Sequence, residues 1–238
     1  MGREATIRNS EVQILVGQGR TPIAGCLAVP SGAHAVIVFA HGSGSSRFSP
    51  RNRFVAGILN DGGFATLLAD LLTPDEEADD ARTRGLRFDV EMLGQRLADA
   101  AEWVAALDDL RDLPIGYFGA STGAAAALIA AARHPRRIFA IVSRGGRPDL
   151  AGNALAHVHA STLLIVGGHD EAVITMNREA LMKLKCQDKK LVIIPRATHL
   201  FEEPGTLEAV AKVAEEWFVR HFTHVEKELI HETPVRAS

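Results

Sequence analysis

The stretch Gly119-Ala120-Ser121-Thr122-Gly123 constrains this chain more than any other. Before it stands Pro114-Ile115-Gly116-Tyr117-Phe118, a short apolar run that reads as a buried strand, and after it an alanine-rich run, 124–132, that reads as helix. A G-x-S-x-G held between strand and helix is the turn known as a nucleophile elbow. The chain reverses so sharply that the serine is forced into strained backbone geometry with its hydroxyl exposed. The residues two before and two after must be tiny, or their Cβ atoms would collide across the turn. A glycine-rich turn that binds phosphate is the competing reading of the five letters. The flanking strand and helix favour a reactive serine.

A serine hydroxyl is a weak nucleophile and needs a base, and the base needs an acid to orient it. Ser161-Thr162-Leu163-Leu164-Ile165-Val166 reads as a strand running into Gly167-Gly168-His169-Asp170-Glu171, which puts Asp170 just past a strand's carboxyl end. Leu191-Val192-Ile193-Ile194 is a second such strand, followed by Pro195-Arg196-Ala197-Thr198-His199. The expected catalytic residues are therefore Ser121, Asp170 and His199, in the chain order serine, acid, histidine. Glu171 and Asp149 compete for the acid position, and His169 for the base. His134, His157, His159 and His221 read as surface or packing histidines. His157 and His159 have the spacing of two metal ligands, but no further ligand stands nearby, so no metal site is expected. No other cofactor is implied.

Acyl transfer also needs N–H donors aimed at the developing oxyanion. The strand 35–40 ends in His41-Gly42-Ser43-Gly44-Ser45-Ser46. An H-G-x-G segment after the third strand commonly supplies one donor and the residue after the nucleophile the other, which points to the backbone N–H groups of Ser43 and Thr122. Arg47, Arg144 and Arg147 are expected on the same side of the sheet. They are candidates to bind a carboxylate or phosphate of the substrate, or else to pair with neighbouring acids such as Asp149.

Taken together, His41-Gly42-Ser43-Gly44, Gly119-Ala120-Ser121-Thr122-Gly123, Gly168-His169-Asp170 and His199-Leu200-Phe201 resemble the α/β-hydrolases. Within them the chain is similar to the small, lid-poor members like the dienelactone hydrolases, from about Val12 to Phe222. The resemblance implies a serine hydrolase, and such enzymes handle acidic substrates. Dienelactone hydrolases proper carry a cysteine nucleophile where this chain has Ser121. That departure favours ordinary carboxylesterase chemistry on small acyl esters over dienelactone itself. Thioester, peptide or carbon–carbon bond hydrolysis uses the same parts, and a binding protein built on a hydrolase fold is a further alternative.

The remaining organisation agrees. Strands are expected near 12–16 and 21–28, joined by the turn Gly17-Gln18-Gly19-Arg20 as an antiparallel hairpin. Alternation follows, with strands at 35–40, 64–69, 114–118, 138–143, 162–166 and 190–194. Helices are expected at 51–60, 89–108, 122–133, from about 149, at 174–186 and at 206–222. This pattern implies a doubly wound, mostly parallel eight-stranded sheet with helices on both faces, as one α/β domain over 1–222 with no large cap. A polar tail, 223–238, is expected to fray. The acidic stretch Thr73-Pro74-Asp75-Glu76-Glu77-Ala78-Asp79-Asp80 and the arginines after it read as a solvated loop or a mobile rim over the site. Of the 238 residues 47% are hydrophobic, ample for a core on both faces of a sheet. A net charge of −3 gives no reason to expect nucleic acid or an anionic membrane as partner; a small ester is the partner implied. With two cysteines, no apolar span and no signal-like start, a reducing, cytoplasmic setting is expected.

Overall fold

The computed structural model describes residues 6–17 and 20–231, with side chains described as far as 222. Eight strands form one sheet: β1 (Ile7–Val16), β2 (Thr21–Pro30), β3 (Ala35–Ala40), β4 (Phe64–Ala69), β5 (Ile115–Ala120), β6 (Ile138–Arg144), β7 (Ser161–Gly167) and β8 (Lys189–Ile194). They lie in the order β1-β2-β4-β3-β5-β6-β7-β8. β1 and β2 form the expected antiparallel hairpin and β2 meets β4 antiparallel, whereas every pairing from β4 to β8 is parallel. The sheet is thus mixed and mostly parallel. Of the expected hairpin turn, residues 18 and 19 lie outside the described residues.

Parallel strands need covering on both faces, and β3 shows how the sequence arranges it. Val36, Val38 and Ala40 face one apolar cluster, while Ala35, Ile37 and Phe39 face the other. The first cluster is closed by α3 (Val90–Ala105), α4 (Thr122–Arg133), the 3₁₀ segment Pro148–His157 and α5 (Glu171–Lys183). The second is closed by α1 (Pro50–Asp61) and α6 (Thr206–His231). Within α6 the stripe Val210, Ala211, Ala214, Trp217 and Phe218 is buried, as its spacing requires. α1 begins on Ser49, whose hydroxyl accepts the Asn52 N–H, with Pro50 in the first turn.

Two expectations are corrected. The acidic stretch is not a loop: Pro74–Thr83 is a helix, α2, followed by a 3₁₀ turn at Leu86–Phe88. Its start is a capping box, in which Thr73 Oγ1 accepts from Glu76 N at 3.2 Å and Glu76 Oε2 from Thr73 N at 2.8 Å. The supposed tail from Thr223 is helical to His231; Thr223-His224-Val225-Glu226-Lys227-Glu228-Leu229 holds no glycine or proline to stop α6, and Pro234 is the first breaker. Residues 232–238 lie outside the described residues. No helix among the described residues is long and apolar enough to cross a membrane.

Candidate active site

β5 leads into α4 through Ser121, whose φ of 51° and ψ of −121° are strained for a residue with a side chain. The small neighbours are a steric requirement. A Cβ on Gly119 would lie 2.5 Å from the Ala124 Cα and 2.7 Å from the Gly123 carbonyl oxygen, and one on Gly123 would lie 2.5 Å from the His41 carbonyl oxygen. The turn is clamped from β6: Ser121 N donates to the Arg144 carbonyl at 3.2 Å, and Arg147 N donates to the Ser121 carbonyl at 3.0 Å.

The loop after β3 lies against this turn. A Cβ on Gly42 would come within 2.9 Å of the Ser121 Cβ, so only glycine brings the loop this close. Ser43 follows, and Thr122 is the first residue of α4, where the helix offers its N–H no internal acceptor. Both expected oxyanion donors therefore border Ser121. The side chain of Thr122 adds a connection the sequence reading missed. Its Oγ1 accepts the Ser43 N–H at 3.0 Å and sits 3.0 Å from the Ser43 Oγ, so one expected donor already has an acceptor. His41 anchors the loop from the other end. Its Nε2 accepts the Leu71 N–H at 3.0 Å, which leaves the proton on Nδ1 to donate to the Gly42 carbonyl at 3.0 Å. Burial pushes the His41 imidazole below its ordinary value, against the opposing pull of the Gly42 carbonyl and Asp70, so it stays neutral.

Asp170 is the N-cap residue of α5, yet its carboxylate caps nothing. Its Oδ2 lies 2.6 Å from the His199 Nδ1. A carboxylate accepts, so Nδ1 carries a proton, and in the neutral ring Nε2 is then the accepting nitrogen. The two loops are bound through backbone as well: Gly168 N donates to the Ile194 carbonyl at 2.8 Å and His169 N to the Ala197 carbonyl at 2.9 Å. Gly167 permits the contact, since a Cβ there would lie 2.5 Å from the carbonyl oxygens of Ala197 and Thr198. Arg196 and Phe201, on either side of His199, hold positive φ of 63° and 56°. His199 meets the serine's surroundings at Gly145, where a Cβ would lie 3.1 Å from the His199 carbonyl oxygen and 3.6 Å from its Cε1. Asn177, fully buried on α5, donates from Nδ2 to the Gly146 carbonyl at 3.0 Å and steadies that junction.

The competing residues sit elsewhere or do other work. Glu171 and His169 are exposed. Asp149 takes Arg147 in a two-pronged pair at 2.9 and 2.8 Å, and His221 packs on the Trp217 ring with centroids 4.3 Å apart. The arginines divide. Arg147 is neutralised by Asp149, and Arg47 is held by Asp70 through both its backbone N–H, at 2.6 Å, and its guanidinium. Arg144, 8% exposed, has neither.

Beside the loop after β3 lies a cleft of about 310 Å³ that includes Ser43, Gly44, Glu77, Asp80, Arg87 and Thr122. Its outer wall is α2 and the 3₁₀ turn, fastened by ion pairs. Arg87 Nε meets Asp80 Oδ2 at 2.5 Å, and Arg96 grips Glu76 at 2.5 and 2.6 Å. A larger groove of about 380 Å³ between α1 and the hairpin strands includes Asn9, Cys26, Arg53 and Asn60; Ser121, Asp170 and His199 line neither it nor the smaller cleft.

Comparison with known proteins places this geometry. A protein of Mycobacterium tuberculosis provisionally named a phosphoribosyl transferase is 55% identical over 217 residues, covering 90% of this chain but 47% of that protein. The chain thus spans about half the length of the curated relatives it matches. The crystal structure of a dienelactone hydrolase from Anabaena variabilis is 55% identical and superposes with a TM-score of 0.87 over 90% of this chain and 98% of that one. A lidless α/β serine hydrolase from Xanthomonas campestris, at 20% identity, shares the fold with a TM-score of 0.70 over 89% of this chain and 94% of its own. With the profile of the Dienelactone hydrolase family matching residues 23–228, the chain belongs to that family of α/β-hydrolases.

Proposed function

We propose that this hydrolase is a serine carboxylesterase acting on small, soluble acyl esters in the cytoplasm. The observation that carries the reading is the 2.6 Å pairing of His199 Nδ1 with Asp170, which orients the neutral ring with Nε2 as its accepting nitrogen, in a position that abuts the strand junction clamping Ser121. Nε2 takes the Ser121 proton as Oγ bonds to the ester carbonyl carbon. The carbonyl oxygen becomes an oxyanion held by the N–H groups of Thr122 and Ser43, the latter shared with or released by Thr122 Oγ1. Collapse breaks the bond to the leaving alcohol, which departs with the proton from His199. Water, deprotonated by the same ring, then cleaves the acyl-serine and restores the enzyme.

The transferase name of the mycobacterial relatives describes proteins about half of which this chain does not cover. The covered half is the hydrolase family's, and the serine chemistry is read from that half. A panel of aryl esters of rising acyl length, beside thioester, peptide and carbon–carbon substrates, tests the reading together with fluorophosphonate labelling. Ser121→Ala and His199→Ala are each expected to lower kcat by about a thousandfold or more with unchanged melting, and Ser121→Ala to abolish labelling. Near-normal esterase activity in Ser121→Ala overturns it.

A further inference from the structure

The two oxyanion donors are backbone groups, yet in the folded protein a side chain is tied to one of them. Thr122 Oγ1 accepts the Ser43 N–H at 3.0 Å and lies 3.0 Å from the Ser43 Oγ. Thr122 is 3% exposed, and with Ser43 it lines the cleft beside the loop after β3. Its hydroxyl is not a helix cap. The cap position of α4 belongs to Ser121, whose side chain makes no capping bond, and Thr122 is the first helical residue.

The Ser43 peptide is not free to turn away from that hydroxyl. Ser45 N donates to the Gly42 carbonyl at 3.1 Å, and Gly44 has a φ of 67°, the pattern of a type II turn with Ser43 at its second position. The same carbonyl accepts from His41 Nδ1 at 3.0 Å. Two donors on this oxygen fix the plane of the 42–43 peptide, so its N–H keeps its direction whatever Thr122 does. An oxyanion that takes this N–H therefore shares it with Thr122 Oγ1, and two acceptors on one N–H lie close together. A lone pair turned to the anion would repel it, whereas a proton turned to it stabilises it. A hydroxyl has two lone pairs and one proton. Ser43 occupies both lone pairs of Thr122 Oγ1 when its N–H and its Oγ–H donate there, which leaves the single Thr122 proton for the anion.

We propose that the Thr122 hydroxyl is a catalytic group, a third donor of the oxyanion hole beside the N–H groups of Thr122 and Ser43. As Ser121 Oγ bonds to the ester carbonyl carbon, its proton passes to His199 Nε2 and the carbonyl π electrons move onto oxygen. The Thr122 O–H donates a hydrogen bond to that oxygen and keeps its proton throughout. When the carbonyl re-forms, the charge leaves with the departing alcohol and the hydroxyl returns to its bond with Ser43. The inference rests on the reading of Ser121 as nucleophile and extends it: the side chain of the next residue, and not only its N–H, acts on the reacting oxygen.

The test is kinetic, on the aryl ester that the native chain cleaves fastest. Thr122→Val keeps the shape and removes the hydroxyl, with Thr122→Ala in its place should valine not fold. It is expected to lower kcat by about tenfold or more at unchanged KM, and to weaken by a similar factor a trifluoromethyl ketone, whose adduct with serine is an oxyanion. Thr122→Ser keeps the hydroxyl and is expected to return kcat to within about threefold of native. An unchanged kcat in Thr122→Val overturns the inference. So does a raised one, which would mean that the hydroxyl competes with the oxyanion for the Ser43 N–H. Ser43→Pro separates donation from support, since proline lacks the N–H and suits the second position of a type II turn. A hydroxyl that only held the Ser43 N–H would be dispensable in that background. A further fall of about fivefold on adding Thr122→Val is expected instead, and no further fall overturns the donor role. Should Ser43→Pro fail to fold, Ser43→Ala replaces it: the N–H stays, the steering of the Thr122 proton is lost, and kcat is expected to fall by about threefold. An unchanged kcat there overturns the inference. Turnover that Ser121→Ala abolishes and Thr122→Val leaves intact sinks the inference and spares the esterase reading. No ester turnover and no fluorophosphonate label in the native chain removes both.

Discussion

The two walls of the candidate cleft are built by different forces. The inner wall, where the loop after β3 meets the turn at Ser121, is steric: Gly42, Gly119 and Gly123 let backbone approach backbone at distances no side chain survives. The outer wall, α2 and its 3₁₀ turn, is electrostatic: a capping box, Glu76 with Arg96, and Asp80 with Arg87. The close contacts of the steric wall do not themselves depend on pH or salt concentration, although the loop that makes them is anchored by His41. Electrostatic walls hold while their charges last, which makes the outer wall the adjustable one.

The largest break in that contrast is expected at Gly123. Gly123→Ala drives a methyl into the carbonyl oxygens at the end of β3 and should cost about 3 kcal/mol in urea unfolding, with loss of whatever activity Ser121 supports. Near-native stability would mean that the inner wall yields, against the steric account.

Acid should then take the walls apart in sequence. His41 is held below its ordinary 6.5 in the folded protein, so the unfolded chain takes up its proton first, and stability falls as pH drops below about 6.5. Glu76 is held below its ordinary 4.5 by Arg96, so its contribution is complete above that value and is lost only as pH falls below it. Urea midpoints measured across pH should show two separate declines, the upper removed by His41→Gln and the lower by Glu76→Gln. A single decline unaffected by either variant would refute the assignment.

Smaller changes probe the outer wall alone. Thr73→Ala removes one half of the capping box and should cost about 1 kcal/mol, read from the same unfolding curves. At the bottom of the scale, Arg82→Ala deletes an exposed pair with Asp79 and should change stability by less than about 0.5 kcal/mol at any salt concentration. A larger loss there would show that the outer wall acts as a charge network rather than as separate pairs.

The steric wall was also the legible one. Five letters between a strand and a helix imply the elbow, because the small residues are demanded by the turn itself and not by anything distant. The pairing of Asp170 with His199 was readable for a related reason: each lies just past an apolar strand, where a parallel sheet gathers its loops. α2 was missed although Thr73-Pro74-Asp75-Glu76 is an explicit helix start, because the acidic run behind it lacks the apolar stripe that periodicity relies on. The length of α6 was missed by treating polarity as a stop signal when no breaking residue stood before Pro234.

By itself, then, the sequence determined the order of strands and helices, the turn at Ser121 and the loops that bring Asp170 and His199 together. All of these follow from local patterns of size and polarity. Which carboxylate met which arginine was decided only by the tertiary structure. Arg47 reaches Asp70 across 23 residues and Arg96 reaches Glu76 across 20, whereas the Arg144 Nη1 is buried with no hydrogen-bond partner. The Thr122 hydroxyl finds the Ser43 N–H 79 residues away in the same manner. Charge pairing and hydrogen bonding depend on distances of a few ångströms between segments that the chain itself keeps far apart, and only folding sets those distances.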